Sequence, residues 1–408
     1  MKRRVVITGM GVVSSLGHGV AAAYERLKTP RNCVRRSEEL ASYKGLQTCL
    51  WAPCGYVRPP TYDRKVVRTM SPVSEMALFA TDQALAEARL VGSPELKGGR
   101  LGVAYGSCSG GVAANLDFAS ILVNREVRNV TSSTYIKMMP QTTAVNLSVR
   151  YGTTGRLLPT GTACTSGSLA IGLAYEQIAY GFQDLMIAGG AEEFSVTQVA
   201  VFDTLFATSR RNTAPEATPR AFDRSRDGLV IGDGAATLVL EEREHALARG
   251  ATVIAEVAGF GTNTDGRHVT QPNAETMSVA LRKALEDAAI APSAVGYVNL
   301  HGTATDLGDI AEGQATEAVF GKAKVPVSTI KSYTGHTLGA CGALEAAMTV
   351  EMLRGDWYAP SLNLEDPDPR CGEHDFITGE GRVFSSEYAM SDNFAFGGVN
   401  TSLVFRRV

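Results

Sequence analysis

The chain has 408 residues, a formal net charge of −3, and is 44% hydrophobic and 20% charged. That length, about two to three domain equivalents of ~150 residues, buries a core without disulfide or metal staples. The balanced charge and lack of a long basic stripe argue against nucleic acid, and no unbroken apolar run of about 18 residues argues for a membrane span.

In chain order, the opening MKRRVVITGMGVVSSLG has the basic start and apolar run of a secretion signal. Gly9, Gly11, Ser14 and Ser15 interrupt it, so it reads as a strand over 3–9 and a turn. Gly9-Met10-Gly11 also resembles a dinucleotide fingerprint, but Ser14 stands where the third glycine belongs, and no suitable acidic partner follows. Further strands are predicted at 100–106, 184–190, 236–242, 252–260, 296–300, 325–330 and 401–407. Helical patterns fall at 74–89, 140–150, 164–180, 273–289, 306–320 and 337–354. Continuous apolar strands alternating with helices indicate an α/β protein whose sheets are covered on both faces.

GDGAATLVLEE near 232–242 is echoed by GGVNTSLVFRR near 397–407, and TACTSGSLAIGLAY at 162–175 by HTLGACGALEAAM at 336–348. Two echoes in the same order suggest similar halves, 1–250 and 251–408, sharing one packed body. The alternative is that Gly/Ala-rich strand-turn-helix units look alike by composition. The basic clusters Arg210, Arg211 and Arg220, Arg224, Arg226 read as a solvated loop or, more sharply, a face for an acidic protein partner.

Seven cysteines, at 33, 49, 54, 108, 164, 341 and 371, form no CxxC pair, which argues against zinc or redox frameworks and for a reduced cytoplasmic compartment. In GTACTSGS, residues 161–168, Gly161 permits a tight turn and Thr160 or Thr162 can cap a helix start. Cys164 then falls in or near the first helical turn, where free N–H groups and the helix dipole stabilise a thiolate and can bind an oxyanion. The competing reading is a small core cysteine. Two histidines strengthen the catalytic one. His301 in NLHGTATDLGD and His336 in STIKSYTGHTLGACGALEA each stand where a loop leaves a strand end, the usual place for ligand chemistry in an α/β sheet. His18, His245, His268 and His374 read as structural.

TACTSGS, HGTATDLGD, KSYTGHTLGACGALEA and NFAFGGVNTSL together resemble the β-ketoacyl-[acyl carrier protein] synthases of the decarboxylating Cys-His-His type. The likeness runs over nearly the whole chain, DRKVVRTMS and FDRSRDGLVIGDGA included. It implies a thiolase-like five-layered αβαβα fold with two similar halves, and condensation of an acyl thioester with malonyl-[acyl carrier protein] in fatty acid or related, including polyene, biosynthesis. By position it implies Cys164 as nucleophile, and His301 and His336 as the pair that binds the malonyl thioester. Lys331 would organise charge around His336 with Glu345 or Asp309, or make a structural salt bridge. Thr303 and Thr305 would hold the phosphopantetheine arm. Phe396, beside Phe394, would be a gate, with the Cys164 and Phe396 N–H groups as oxyanion hole.

No metal and no resident cofactor is implied, since phosphopantetheine arrives on the acyl carrier protein. A cytoplasmic homodimer is expected, with a heterodimer possible. Asp392, Ala395, Val399 and Asp306 depart from the family pattern, as do Cys108 and Ser109 on the acyl-pocket wall; a small Ser109 would leave room for a long or rigid chain. Alternatives are a ketosynthase paired with a chain-length subunit, or a cysteine thioester hydrolase. A thiolase is disfavoured because Cys341 falls inside a helix a turn after His336.

Overall fold

The computed structural model describes residues 2–128 and 130–408. Ten strands form its framework. In the first half they are β1 (Val5–Ser14), β2 (Leu101–Gly106), β3 (Leu157–Thr160), β4 (Leu185–Glu192) and β5 (Gly234–Glu242). In the second they are β6 (Ala255–Thr264), β7 (Val295–Asn299), β8 (Pro326–Ser328), β9 (Tyr388–Phe394) and β10 (Val399–Arg406). The first five pair in the order β3-β2-β4-β5-β1, and the second five in the order β8-β7-β9-β10-β6, extended by Asp375–Phe376. The sense of pairing repeats too: β2 is parallel to β3 and β4, β7 is parallel to β8 and β9, and the remaining pairs are antiparallel. β1 and β6 join the two sheets through Val5–Ile7 against Ala255–Val257.

Helices repeat the same order: α1 (Pro72–Glu87), α2 (Thr142–Tyr151), α3 (Ser166–Ala179), then α4 (Ala274–Ala288), α5 (Asp306–Phe320) and α6 (Cys341–Gly355). α1 and α2 cover the first sheet outside and α4 the second. α5 packs on α4 and sets Ala311, Ala315 and Val319 in one core with Val298 of β7 and Val327 of β8, while α3 and α6 lie between the sheets and touch both. This is the five-layered thiolase-like α/β fold, and both strand-turn-helix echoes occupy matching places. No helix among the described residues is long and apolar enough to cross a membrane.

Gly9 and Gly11 do not end β1, which runs on to Ser14. They let α1 press on the strand: a Cβ at Gly9 would lie 2.0 Å from the Ala84 carbonyl oxygen, and one at Gly11 1.9 Å from that of Ala80. Gly259 and Gly261 do the same for α4, at 2.4 Å from the Ala284 oxygen and 2.1 Å from that of Ala280. Each strand also carries a register shift beside its first glycine. The expected turn is therefore a packing contact, made once in each half.

The basic cluster also differs from expectation. The Arg226 side chain is buried and ion-paired with Asp368 at 2.7 Å, and Arg220 is buried against Asp223. Those two charges tie loops together, while Arg210 and Arg224 face solvent.

Candidate active site

Cys164 stands in a single 3-10 turn, Ala163–Thr165, between β3 and α3; the matching turn Leu338–Ala340 follows His336 and leads into α6. Ala163 and Leu338, the first residues of these turns, share a left-handed backbone at φ 50° and 48°. Non-glycine residues adopt that region at a cost of about 1–3 kcal/mol, and such strain collects at functional sites. No threonine side chain caps the turn. Instead the Thr162 N–H donates to Ser166 Oγ at 3.0 Å, and the Thr165 hydroxyl donates to the Thr162 carbonyl at 2.8 Å. α3 and α6 approach closely through Gly167, where a Cβ would lie 2.8 Å from Ala343 N. That contact draws both turns to one point.

There His336 Nε2 lies 3.0 Å from Cys164 Sγ. The His301 ring stands perpendicular to that of His336, centroids 5.2 Å apart. The sulfur and one nitrogen from each imidazole fall within 4.8 Å of one another. His301 Nδ1 receives two donors, Lys331 Nζ at 3.1 Å and Asn393 Nδ2 at 3.2 Å. An ammonium and an amide NH2 can only donate, so Nδ1 carries the lone pair and the ring proton is on Nε2. Asn393 Nδ2 also reaches Glu345 Oε2 at 2.6 Å, and Lys331 pairs with Glu345. Glu312 on α5 fixes the loop, accepting the N–H of His301 at 2.5 Å and of Gly302 at 2.7 Å.

Burial, then the Lys331 charge, holds both imidazoles well below their ordinary pKa, so both are neutral. Burial opposes the Lys331 ammonium, yet the groups around it, Glu345 first and Glu312 among them, together outweigh it and the lysine stays charged. The Cys164 thiol is pushed up to about 11 by burial, against Lys331 and the N–H groups of Phe396 and Cys164 itself, which face the sulfur. The helix start therefore does not leave a standing thiolate: the sulfur is protonated at neutral pH and needs an acceptor for its proton, and His336 Nε2 is in place. Among the described residues His336 Nδ1 has no partner, so nothing fixes the ring proton to either nitrogen. Cys-His-His clusters also suit metals, but the Lys331 ammonium against His301 repels a second cation.

A cavity of about 530 Å³ reaches Cys164, His301 and His336, and Thr303, Thr305, Phe394 and Phe396 line it. The two threonine hydroxyls bond each other at 2.9 Å. Phe394 is buried edge-on to His301, and the half-buried Phe396 ring lies 5.2 Å from that of Phe202. Gly397 and Gly398 follow with φ of 89° and 71°, which favour glycine. At the solvent end Phe206, Val269 and Leu307 are exposed.

Some expected placements change. Lys331 acts on His336 through its charge, as expected, but its hydrogen bond goes to His301. Asp309 stands outside the Lys331 network: it accepts the N–H of Phe222 at 2.7 Å and of Ala304 at 3.1 Å. Asp306 begins α5 and pairs with Arg370 and Arg226. Cys108 and Ser109 do not line the cavity, and the room beside the small Ser109 is taken by Gln198, whose Nε2 donates to Ser109 Oγ at 3.1 Å. Cys341 begins α6 and its thiol donates to the Cys164 carbonyl at 3.1 Å, yet it too is absent from the cavity wall. His18 and His374 bond backbone carbonyls and His245 bridges Glu241 and Glu95, as structural residues do. His268 accepts two turn N–H groups, although it also borders the cavity. Sequence reading missed Asn393, Glu312 and Glu192, the last of which accepts the N–H of Cys108 at 2.7 Å and of Gly339 at 3.2 Å. Only Glu312 left a signal, its spacing with Asp309 and Thr316 on one face of α5.

Two family models match: β-ketoacyl synthase, N-terminal domain, over residues 2–246, and its C-terminal domain over 254–365. The chain is 38% identical to 3-oxoacyl-[acyl-carrier-protein] synthase 2 of Vibrio cholerae, covering all of both. Among solved structures it resembles a β-ketoacyl synthase from Burkholderia phymatum, with 56% identity, full coverage of both chains and a TM-score of 0.98. It also resembles, with full coverage of both chains, AntDE:AntF, a type II PKS acyl-carrier protein in complex with its ketosynthase (29%, TM-score 0.88), and the ishigamide ketosynthase/chain length factor (26%, TM-score 0.90).

Proposed function

The chain belongs to the β-ketoacyl synthase family, and on that footing we propose that it condenses an acyl thioester with malonyl-[acyl carrier protein], giving a 3-oxoacyl-[acyl carrier protein] and CO2. The observation that carries this is a buried sulfur beside two neutral imidazoles, one with its proton held on Nε2.

Cys164 attacks the incoming thioester. Its S–H proton passes through His336 Nε2 to the departing pantetheine sulfur, so an acyl-Cys164 thioester and a free carrier thiol result. His336 is left neutral with its proton on the unpartnered Nδ1, and exchange with solvent moves that proton to Nε2. The malonyl thioester then enters, its carbonyl oxygen facing the Nε2 protons of His301 and His336. Its C–C bond breaks, CO2 departs, and the electron pair stays as an enolate whose oxygen those donors stabilise. The enolate carbon attacks the acyl carbonyl, whose oxyanion is met by the Phe396 and Cys164 N–H groups. Collapse expels the Cys164 thiolate, which takes one proton from solvent. Loss of CO2 drives the bond formation, so the reaction calls for no resident metal or redox cofactor.

Thr303 and Thr305 would hold the pantetheine arm along the cavity, and Phe396 would gate entry. The half before residue 250 would supply the nucleophile, and the half from 251 both imidazoles. An acyl carrier protein is the implied partner. Seven unpaired cysteines suit a cytoplasmic site. A homodimer is the expected assembly. The likeness to ketosynthases with chain-length factors supports a second arrangement, in which this chain is the nucleophile-bearing subunit of a heterodimer.

Incubation with an acyl carrier thioester, followed by intact mass, tests the reading. Stable acylation at Cys164 is expected, and Cys164→Ala should abolish both the adduct and the condensation while melting like the parent. Release of free acid without an adduct indicates a hydrolase instead.

A further inference from the structure

Near the nucleophile lies a polar group that the condensation does not use. In helix Val196–Thr204, Gln198 stands one turn before Phe202 and on the same face. Gln198 is only 8% exposed, and its Nε2 donates to Glu192 Oε1 and to Ser109 Oγ, each at 3.1 Å. Glu192 also receives the N–H of Cys108 at 2.7 Å, of Gly339 at 3.2 Å and of Ser109 at 3.3 Å. Burial raises the Glu192 carboxyl to about 7 against these N–H donors; where it is ionised it can only accept, and the amide turns its nitrogen toward it. The orientation of Gln198 is thereby chemically fixed. Its carbonyl oxygen is left sealed from solvent, with no donor among the described residues.

A buried acceptor without a donor is costly and uncommon in a folded protein. This one cannot rotate away without breaking both bonds of its nitrogen. Its surroundings indicate what reaches it. Cys108, bonded to the same Glu192, belongs to one apolar cluster with Phe202, Phe396 and Leu338, and Phe202 and Phe396 line the cavity at Cys164. Ser109 and Gln198 stand off the wall of the cavity as it is, so a chain attached to the sulfur would meet them only by parting those two rings.

We infer that Gln198 Oε1 is a recognition point for the acyl chain, selecting chains that carry a hydrogen-bond donor, an O–H or N–H, at the depth of Phe202. This rests on the condensing function. A donor-bearing chain gains the one bond this acceptor lacks, a plain hydrocarbon gains nothing there, and a substituent that only accepts is repelled.

The test uses acyl carrier thioesters of one length: unsubstituted, bearing a hydroxyl or an amino group at successive carbons, or bearing the methyl ether of each hydroxyl. Acylation of Cys164 is followed by mass. A donor at one position should raise kcat/KM about tenfold over both the unsubstituted chain and the methyl ether, the scale of one net hydrogen bond. Comparison of hydroxyl with amino arms identifies which donor is taken. In Gln198→Met the ratio should fall to about one. Equal rates for all chains in the parent, or equal rates for hydroxyl and ether, overturn the inference whether or not the variant folds. So does a ratio that survives Gln198→Met. Failure of every chain to acylate Cys164 refutes the condensing function itself, and this inference with it.

Discussion

Lys331→Met keeps side-chain length and removes a buried charge that has two partners, so it separates two effects. The first is on stability. Glu345, 1% exposed, would retain only the Asn393 bond at 2.6 Å. Removing one member of a buried ion pair costs ~3–5 kcal/mol. At ~2.1 cal/mol/K of unfolding entropy per residue, a chain of this length loses about 0.9 kcal/mol per degree, so the midpoint should fall roughly 3–6 °C. The second effect is on chemistry. His301 Nδ1 keeps the neutral Asn393 donor but loses the charged one. A hydrogen bond involving a charged group is worth ~1.5–3 kcal/mol, so CO2 release from malonyl-[acyl carrier protein] should slow roughly 10- to 150-fold. The double variant Lys331→Met/Glu345→Gln removes both charges. It should recover most of the melting midpoint, by differential scanning fluorimetry, while labelled CO2 still leaves slowly. Parent-rate decarboxylation by the double variant refutes the action of Lys331 through His301, and an unshifted midpoint in the single variant refutes the buried pair.

The catalytic imidazoles are neutral well below pH 6.5, and it is the neutral form that donates through Nε2 without adding charge. Protonation, and with it loss of activity, therefore waits until pH falls through those depressed values. Decarboxylation at pH 6.0, where an ordinary imidazole is about three-quarters charged, should match that at pH 7.5; an acid limb centred at 6.5 contradicts this. With its thiol at about 11, Cys164 should alkylate slowly with iodoacetamide at pH 7 and about tenfold faster per pH unit up to pH 10, by peptide mass mapping. A rate already flat at pH 7 would mean a standing thiolate. Gly342→Ala places a Cβ 2.7 Å from both Asn393 Oδ1 and Ser168 Cβ. Such overpacking costs ~1–3 kcal/mol, so a lower melting midpoint and slower CO2 release are expected together; a variant with neither change argues against the α3–α6 contact.

What the sequence disclosed follows from the range of each interaction. Strands such as 100–106 and helices such as 306–320 are written in local apolar periodicity, and both appear where expected. β3 and β9 were not foreseen. β3 is short, exposed and contains Pro159, while β9 reads YAMSDNF, with Ser391, Asp392 and Asn393 where an apolar strand is looked for. Ser391 and Asn393 are buried because their partners come from elsewhere: Asn299 Nδ2 donates to Ser391 Oγ at 3.4 Å, and Asn393 meets Glu345 from α6 and His301 from the loop after β7. A period-2 pattern has no way to record a partner 92 positions distant.

The same distinction divides the site. Cys164, His301 and His336 are legible because each follows a strand end and is flanked by glycine within its own motif. Their protonation is not, because it is set by Lys331, Asn393 and enclosure on all sides. The misreading of Gly9 and Gly11 as a turn has a similar origin: glycine marks either a bend or a close approach, and only the helix pressed against it shows which. The thiol makes the point most sharply. A helix start alone argues for a thiolate, since its N–H groups lower the cost of charge within the first turn. At 4% exposure the desolvation of sulfur outweighs them, and the proton must move during the reaction. His336 is thus required twice, first to take that proton and then to face the enolate oxygen, and its unpartnered Nδ1 leaves both tautomers open for the exchange.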